Sequence, residues 1–275
     1  MIDLSTLGSC ALRAGDGTHL DGLIRQTKRF ALLTYVACSE DRAPRRRDDL
    51  IATFWPETDK TRGMNALRQA LFVIRREIGE EILTGNGSQE VSVDWSLLSS
   101  DVDSFCRAIK KGLPENALNL YKGEFLSGVH VSDAPEFCFW AEERRSELQN
   151  LASRAAENLA RQAEGKRQLS DAIYWWRRAL ELDPFDEPTV CRIIALLAAS
   201  GNRGRAIAEF ERFRRRAESE LGLTPSSFTQ DLAAKAASGA LAGTPQWAGD
   251  RRGEGKGDSW SHFRRATDLP RRHGE

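Results

Sequence analysis

The hydrophobic pattern changes period once, between Asp94 and Asp101, and this change limits the folds open to the chain. Upstream, short strand-like stretches alternate with amphipathic helices. Downstream, residues 101–240 carry helical periodicity throughout. Within that half, Ala172-Ile173-Tyr174-Trp175-Trp176 and Ala206-Ile207-Ala208-Glu209-Phe210 are offset by 34 residues, and each follows a polar turn. That offset is the tetratricopeptide period, in which helix pairs stack on their neighbours. The expectation is a mainly α chain with an α+β module over 1–96 and an all-α, tetratricopeptide-like module over 99–243. Residues 244–275, charged and punctuated by glycine, read as a disordered tail.

The N-terminal module can be read element by element. The Gly15-Asp16-Gly17 turn predicts a hairpin over about Cys10 to Leu23. A helix follows from Gln26 to Cys38, with Phe30, Leu33 and Ala37 on one face. A short helix from Arg46 to Trp55 carries Leu50, Ile51, Phe54 and Trp55 on its apolar side and stops at Pro56. Asp59 suits the N-cap of a longer helix that ends near Ile78, where Gly79 is a natural terminator. Ile82 to Thr84 and Gln89 to Val93 then flank Asn86-Gly87, the favoured hairpin pair. Short helix, turn, longer helix and hairpin is the order of a winged helix-turn-helix.

The longer helix has two faces. With Leu67 at zero on a wheel of about 100° per residue, Met64, Leu71, Ile74 and Ile78 fall within ~60° of it and form the expected buried stripe. The opposite sector holds Arg62, Asn65, Arg68, Gln69, Phe72 and Arg76, with Arg75 at its margin and no carboxylate before Glu80. Arginine pairs with guanine edges, and asparagine and glutamine pair with adenine edges. An Arg-rich exposed face is equally an ordinary solvated surface; the order of elements favours DNA. Asn65, Arg68, Gln69 and Arg76 are the expected base readers. Arg45, Arg46, Arg47, Lys60, Thr61, Arg62, Arg75 and, in the wing, Asn86 are the expected backbone contacts. Phe72 is expected to pack under the wing rather than touch a thymine methyl.

Composition narrows the classes further. Forty basic residues balance forty acidic ones, which argues against indiscriminate polyelectrolyte binding but leaves a local basic face open. The longest apolar run, Ile193 to Ala199, has seven residues, too few for a transmembrane helix. Five scattered cysteines without a CxxC, and no basic apolar leader, fit a reducing cytoplasm. No metal set, phosphate cradle or nucleophile elbow is present, so no catalytic residue, metal or cofactor is expected. Cys138, eight residues from His130, reads as structural. Phe137, Phe139 and Trp140 read as a packing cluster, Trp55 as a buried core ring, and Trp175-Trp176 as one core and one partly exposed ring.

Seven segments occur in the order found in one family: Arg47-Asp48-Asp49-Leu50 through Phe54-Trp55-Pro56; Asn65-Ala66-Leu67-Arg68-Gln69-Ala70-Leu71 through Ile74-Arg75-Arg76; Asp101-Val102-Asp103-Ser104-Phe105; Tyr121-Lys122-Gly123-Glu124-Phe125-Leu126-Ser127-Gly128; Phe139-Trp140-Ala141-Glu142-Glu143-Arg144; Leu182-Asp183-Pro184; and Leu221-Gly222-Leu223-Thr224-Pro225-Ser226. Through them the chain resembles the SARP-type bacterial transcriptional activators, which join an OmpR-like winged helix to a bacterial transcriptional activator domain. The resemblance implies sequence-specific binding to double-stranded DNA at promoter-proximal direct repeats and contact with RNA polymerase. The loop Pro56 to Thr58 would face the polymerase, and the helical half would serve protein contacts or a homodimer. The alternative is a tetratricopeptide-like interaction scaffold whose winged helix does not bind DNA. Two positions depart from the family pattern. Arg46 stands where a small hydroxyl N-cap is usual, and Gly63 replaces alanine inside the longer helix, where glycine ordinarily costs ~1 kcal/mol.

Overall fold

Alternation of apolar side chains builds the first sheet. Leu4, Leu12 and Leu98, all essentially without solvent exposure, lie on strands β1 (Ile2–Ser5), β2 (Ala11–Ala14) and β6 (Leu98–Ser100). β1 is central, antiparallel to β2 (Leu4 opposite Leu12) and parallel to β6 (Ile2 opposite Leu98). The computed structural model describes residues 1–85 and 89–241 and divides into two units, Met1–Ala156 and Glu157 onward. The expected tail at 244–275 and the turn pair Asn86-Gly87 lie outside the described residues. The expected hairpin over 10–23 is corrected. β2 pairs backward with β1, and across the Gly15–Gly17 turn there is a single bridge, Arg13 to His19. Asp21–Ile24 then forms a short helix, α1. β1 and β6 carry three or four residues each, too few for alternation to stand out.

The winged module follows. α2 (Thr27–Ala37) is buried from Phe30 to Ala37 without a break, so it is a central helix and not the one-sided helix expected. α3 (Arg47–Phe54) and α4 (Lys60–Ile78) form the helix-turn-helix. β4 (Leu83–Thr84) and β5 (Glu90–Val93) form the wing, in the order β3-β5-β4. β3 is Arg45–Arg46, so these arginines are sheet residues and not the first turn of a helix. Their backbone pairs with Val91 and Glu90.

β6 runs directly into α5 (Asp101–Lys110), and the Asp101-Val102-Asp103-Ser104-Phe105 motif acts as a clamp. The Asp101 carboxylate accepts from the backbone N–H groups of Thr6 and Leu7 (2.7 and 2.8 Å) and from the Thr6 hydroxyl (3.1 Å). Burial pushes its pKa up, and these donors, with the Val102 N–H, oppose the shift. Asp103 receives two hydrogen bonds from Arg42 (3.0 and 2.8 Å) and pairs with Arg107. Phe105 is fully buried against Tyr121.

After α6 (Pro114–Leu120), residues 121–134 leave the helical register that the periodicity predicts to be continuous. Here Tyr121-Lys122-Gly123-Glu124-Phe125 lies along the chain after β1. Gly8 N–H donates to the Glu124 carbonyl and Leu126 N–H to the Thr6 carbonyl. A Cβ on Gly123 would stand 3.1 Å from Gly8 Cα, a tight approach that glycine makes without displacing the facing backbone. The segment is thus a strand-like strap.

α7 (Pro135–Gly165) begins with an aromatic cluster inside the first unit. Trp140 lies 4.6 Å from Tyr35 and 5.7 Å from Phe137, and Phe137 is 5.2 Å from Phe54 (ring centroids). Phe137 is buried, but Phe139 is 63% exposed and is not part of the cluster. Trp55 is also corrected: it is half-buried, with the Lys28 ammonium 5.1 Å from its ring centre, whereas Phe54 is the core residue.

In the second unit, α8 (Leu169–Leu182), α9 (Glu187–Ala199), α10 (Arg203–Leu221) and α11 (Ser227–Ser238) pack each on the next. Ala172 and Ala206, 34 residues apart, are both fully buried, as a tetratricopeptide-like repeat requires. Trp176 is buried and Trp175 half-exposed, matching the sequence reading. The α8–α9 turn is capped by Asp186, which accepts the Thr189 N–H, and α10 ends on left-handed Gly222.

The cluster orders the aromatic contributions. Phe54→Ala should cost about 3–5 kcal/mol in urea unfolding, the range for a core aromatic. Trp55→Ala should cost clearly less, because a half-exposed ring gives up less buried surface. A larger loss for Trp55→Ala would return that ring to the core.

Candidate nucleic-acid interface

The interface is built on α4. Asp59 caps it, its Oδ1 accepting the Arg62 N–H at 2.9 Å, and Gly79 ends it at φ 113°. Gly63, Leu67, Ala70, Leu71, Ile74 and Ile78 are buried. Met64, expected in that stripe, is only half-buried, because Gly63 takes the closest approach to α3. A Cβ on Gly63 would lie 2.5 Å from Ile51 Cγ2 and 3.0 Å from Thr58 Oγ1. The expected cost of glycine in this helix is therefore reversed in sign: alanine does not fit the crossing.

The opposite face is open. Arg62, Asn65, Arg68, Gln69, Phe72 and Arg76 are all exposed. Phe72, expected to pack under the wing, is 62% exposed and points outward with the polar residues. Arg62 pairs with Asp59 (3.2 Å) and Arg76 with Glu77 (3.4 Å). Arg68 has no ion pair among the described residues. Thr61 is exposed at the start of the helix.

Beside this face, Arg46, Arg47, Lys60, Arg68 and Arg75 line one groove with Asp48 as its single carboxylate. Lys60 reaches Asp48 only at 3.9 Å. The Arg47 pKa is pushed down, by burial first and then by the charges of Arg75 and Arg68. Its Nε is buried without a hydrogen-bond partner, as is the Nε of Arg45, whose guanidinium stacks 4.4 Å from the Tyr35 ring centre. Mutually repelling cations around an open groove favour an anion there.

The wing and the helices hold one another. Arg75 donates twice to the Leu83 carbonyl (3.0 and 2.9 Å), fixing β4 to α4. The Arg47 N–H donates to the Gln89 carbonyl at 2.8 Å. The wing thus satisfies the first donor of α3, where Arg46 supplies no side-chain cap. Gln89 also lines the groove and was not expected from the sequence, because a two-residue strand such as β3 leaves no readable pattern.

The structure therefore brings Arg46, Arg47, Lys60, Arg68 and Arg75 together and sets Arg62, Asn65, Gln69 and Arg76 on the adjoining face. Arg45 turns toward Tyr35, away from both groups, and Asn86 lies outside the described residues. Elsewhere, Cys138 donates to the Val131 carbonyl and lies 3.6 Å from His130 Nδ1. Among the described residues there is no group of His, Cys, Asp and Glu able to hold a metal ion, and no helix long and apolar enough to cross a membrane.

Residues 101–236 match the family described as "Bacterial transcriptional activator domain". Among solved structures, that of Mycobacterium tuberculosis EmbR in complex with a low-affinity phosphopeptide is similar, with a TM-score of 0.57 and 19% identity. The match covers 86% of this chain and 64% of that one, so this chain spans less than two thirds of that protein's length. The likeness is one of fold. No curated protein matches in sequence.

The α3–α4 crossing yields a direct test. Gly63→Ala should destabilise the protein by about 1–3 kcal/mol, the usual cost of overpacking, although alanine is the better helix former. Ile51→Ala in the same chain should recover part of that loss. A rise in melting temperature for Gly63→Ala alone would show that the crossing has room.

Proposed function

We propose that this chain, which belongs to the bacterial transcriptional activator domain family and has the SARP-type arrangement of modules, is a sequence-specific DNA-binding activator of transcription. The family is one of transcriptional regulators, not of enzymes. The observation that carries the proposal is the surface of α4: an exposed face of Arg62, Asn65, Arg68, Gln69 and Arg76 beside a groove of five cations. α4 enters the major groove, with Asn65, Arg68, Gln69 and Arg76 at base edges. Arg46, Arg47, Lys60, Thr61 and Arg62 hold phosphates, joined by Asn86 from the wing. Arg75, already bonded to Leu83, acts on the backbone mainly by its charge and by placing the wing. Arg45, stacked on Tyr35, contributes charge from behind.

In this reading residues 1–96 form the DNA-reading module and 99–243 the partner-contact module, including any homodimer. The target is a promoter-proximal direct repeat, and the loop Pro56 to Thr58, exposed beyond α3, meets RNA polymerase. The protein works in the cytoplasm, on the nucleoid.

The test separates base reading from phosphate holding. A duplex is enriched by the protein from a random pool and compared with its scrambled counterpart at several salt concentrations. Arg68→Ala and Gln69→Ala should each lose ~1–3 kcal/mol on the enriched duplex and little on the scrambled one. Lys60→Ala should weaken both alike and flatten the slope of log K against log salt by about one unit. Equal losses on both duplexes for all three variants would refute base reading by this face. No loss in any of them would favour the interaction scaffold.

A further inference from the structure

Phe72 is an apolar ring at the centre of a polar face. Counted along α4 it stands seven residues after Asn65, four after Arg68, three after Gln69 and four before Arg76, so all five share one stripe. It is 62% exposed and packs against no other ring among the described residues. A single exposed apolar side chain ordinarily means little. This one differs in its surroundings: the stripe offers guanidinium and amide donors on both sides of the ring, and the adjoining groove is cationic. Asn65 to Arg76 spans roughly 16 Å along the helix axis, about the length of four to five stacked base pairs. In a major groove the one apolar group on a base edge is the thymine 5-methyl.

We propose that Phe72 is a specificity-determining residue that packs on the 5-methyl group of a thymine in the target site. The proposal rests on base reading by α4. In the free protein the ring contributes nothing to the core, and on DNA it loses its exposed surface against the methyl. Its neighbours Arg68, Gln69 and Arg76 supply the polar contacts that fix the register in which the ring meets that base.

The experiment replaces each thymine of the enriched duplex, one at a time, by deoxyuridine, which keeps every hydrogen-bonding group and removes only the methyl. The wild type should bind about fourfold more weakly at one such position per half-site, the value of burying one methyl group. Phe72→Ala should lose at least that factor on the thymine duplex and become indifferent to deoxyuridine there. Phe72→Leu should keep part of the sensitivity, and both variants should melt at the wild-type temperature. Three results would overturn the proposal: a wild type indifferent at every thymine, a Phe72→Ala protein with unchanged sensitivity, or a marked fall in melting temperature for Phe72→Ala. If Arg68→Ala still loses specificity in such a case, base reading by α4 survives without Phe72. If no duplex is enriched at all, base reading itself fails and this proposal with it.

Discussion

The crossing of α3 over α4 at Gly63 sets the rest of the reading head. Ile51 is β-branched and stiff, its Cγ2 is held on the buried side of α3, and the facing helix can come this close only where it has no Cβ. That contact fixes the rotation of α4 about its own axis. Once the rotation is fixed, Leu67, Leu71, Ile74 and Ile78 point inward and Arg68, Gln69 and Phe72 point outward. It also brings the N-termini of the two helices near enough for Arg46, Arg47 and Lys60 to share one groove with Arg68 and Arg75. The wing adds the second constraint. Arg75 holds the Leu83 carbonyl and the Arg47 N–H holds the Gln89 carbonyl, so helices and wing position each other through hydrogen bonds to the backbone.

What could be read in advance followed the strength of the local signals. α4 has a cap at Asp59, a stop at Gly79 and a stripe repeated over five turns, and its limits were legible to within a residue. The helical repeat was legible for the same reason, including that one of Trp175 and Trp176 would be buried and the other partly exposed; which of the two was left to the structure. β1, β3 and β6 were not, since two to four residues cannot display a period and their pairing is decided by distant partners: Ile2 by Leu98, Arg45 by Val91. The strap at 121–126 failed for a related reason. Its backbone donors and acceptors are met by Thr6 and Gly8, more than a hundred positions away, and nothing local announces that.

Side-chain roles were harder still. Phe72 and Phe139 are aromatic and sit on helices, which made burial the natural expectation for both, yet each is more than 60% exposed. A wheel gives direction but not what lies in that direction. For Phe72 the direction already pointed opposite the core, and among the described residues no other element comes round to cover it. Gly63 is the converse case. Propensity alone counts it as a weakness, and only the distance to Ile51 shows it to be a requirement.

Net charge illustrates why distribution matters more than the total. The chain is formally neutral, with forty charges of each sign. In the second unit several arginines are matched locally at helical spacing: Arg214 with Glu211 and Glu218, Arg216 with Glu220, Arg178 with Glu181, Arg161 with Glu157. Each such pair at a surface is worth little to stability, but it leaves almost no field beyond a Debye length. Around α4 the matching is incomplete. Arg68 has no acidic partner among the described residues, Lys60 reaches Asp48 only at the limit of an ion pair, and half-buried Arg47 feels the charges of Arg75 and Arg68. Neutral composition is therefore compatible with a positive groove, because the sum says nothing of where each charge sits or which charges are already paired. The local imbalance that destabilises the free groove by self-repulsion is the same imbalance that phosphate would relieve.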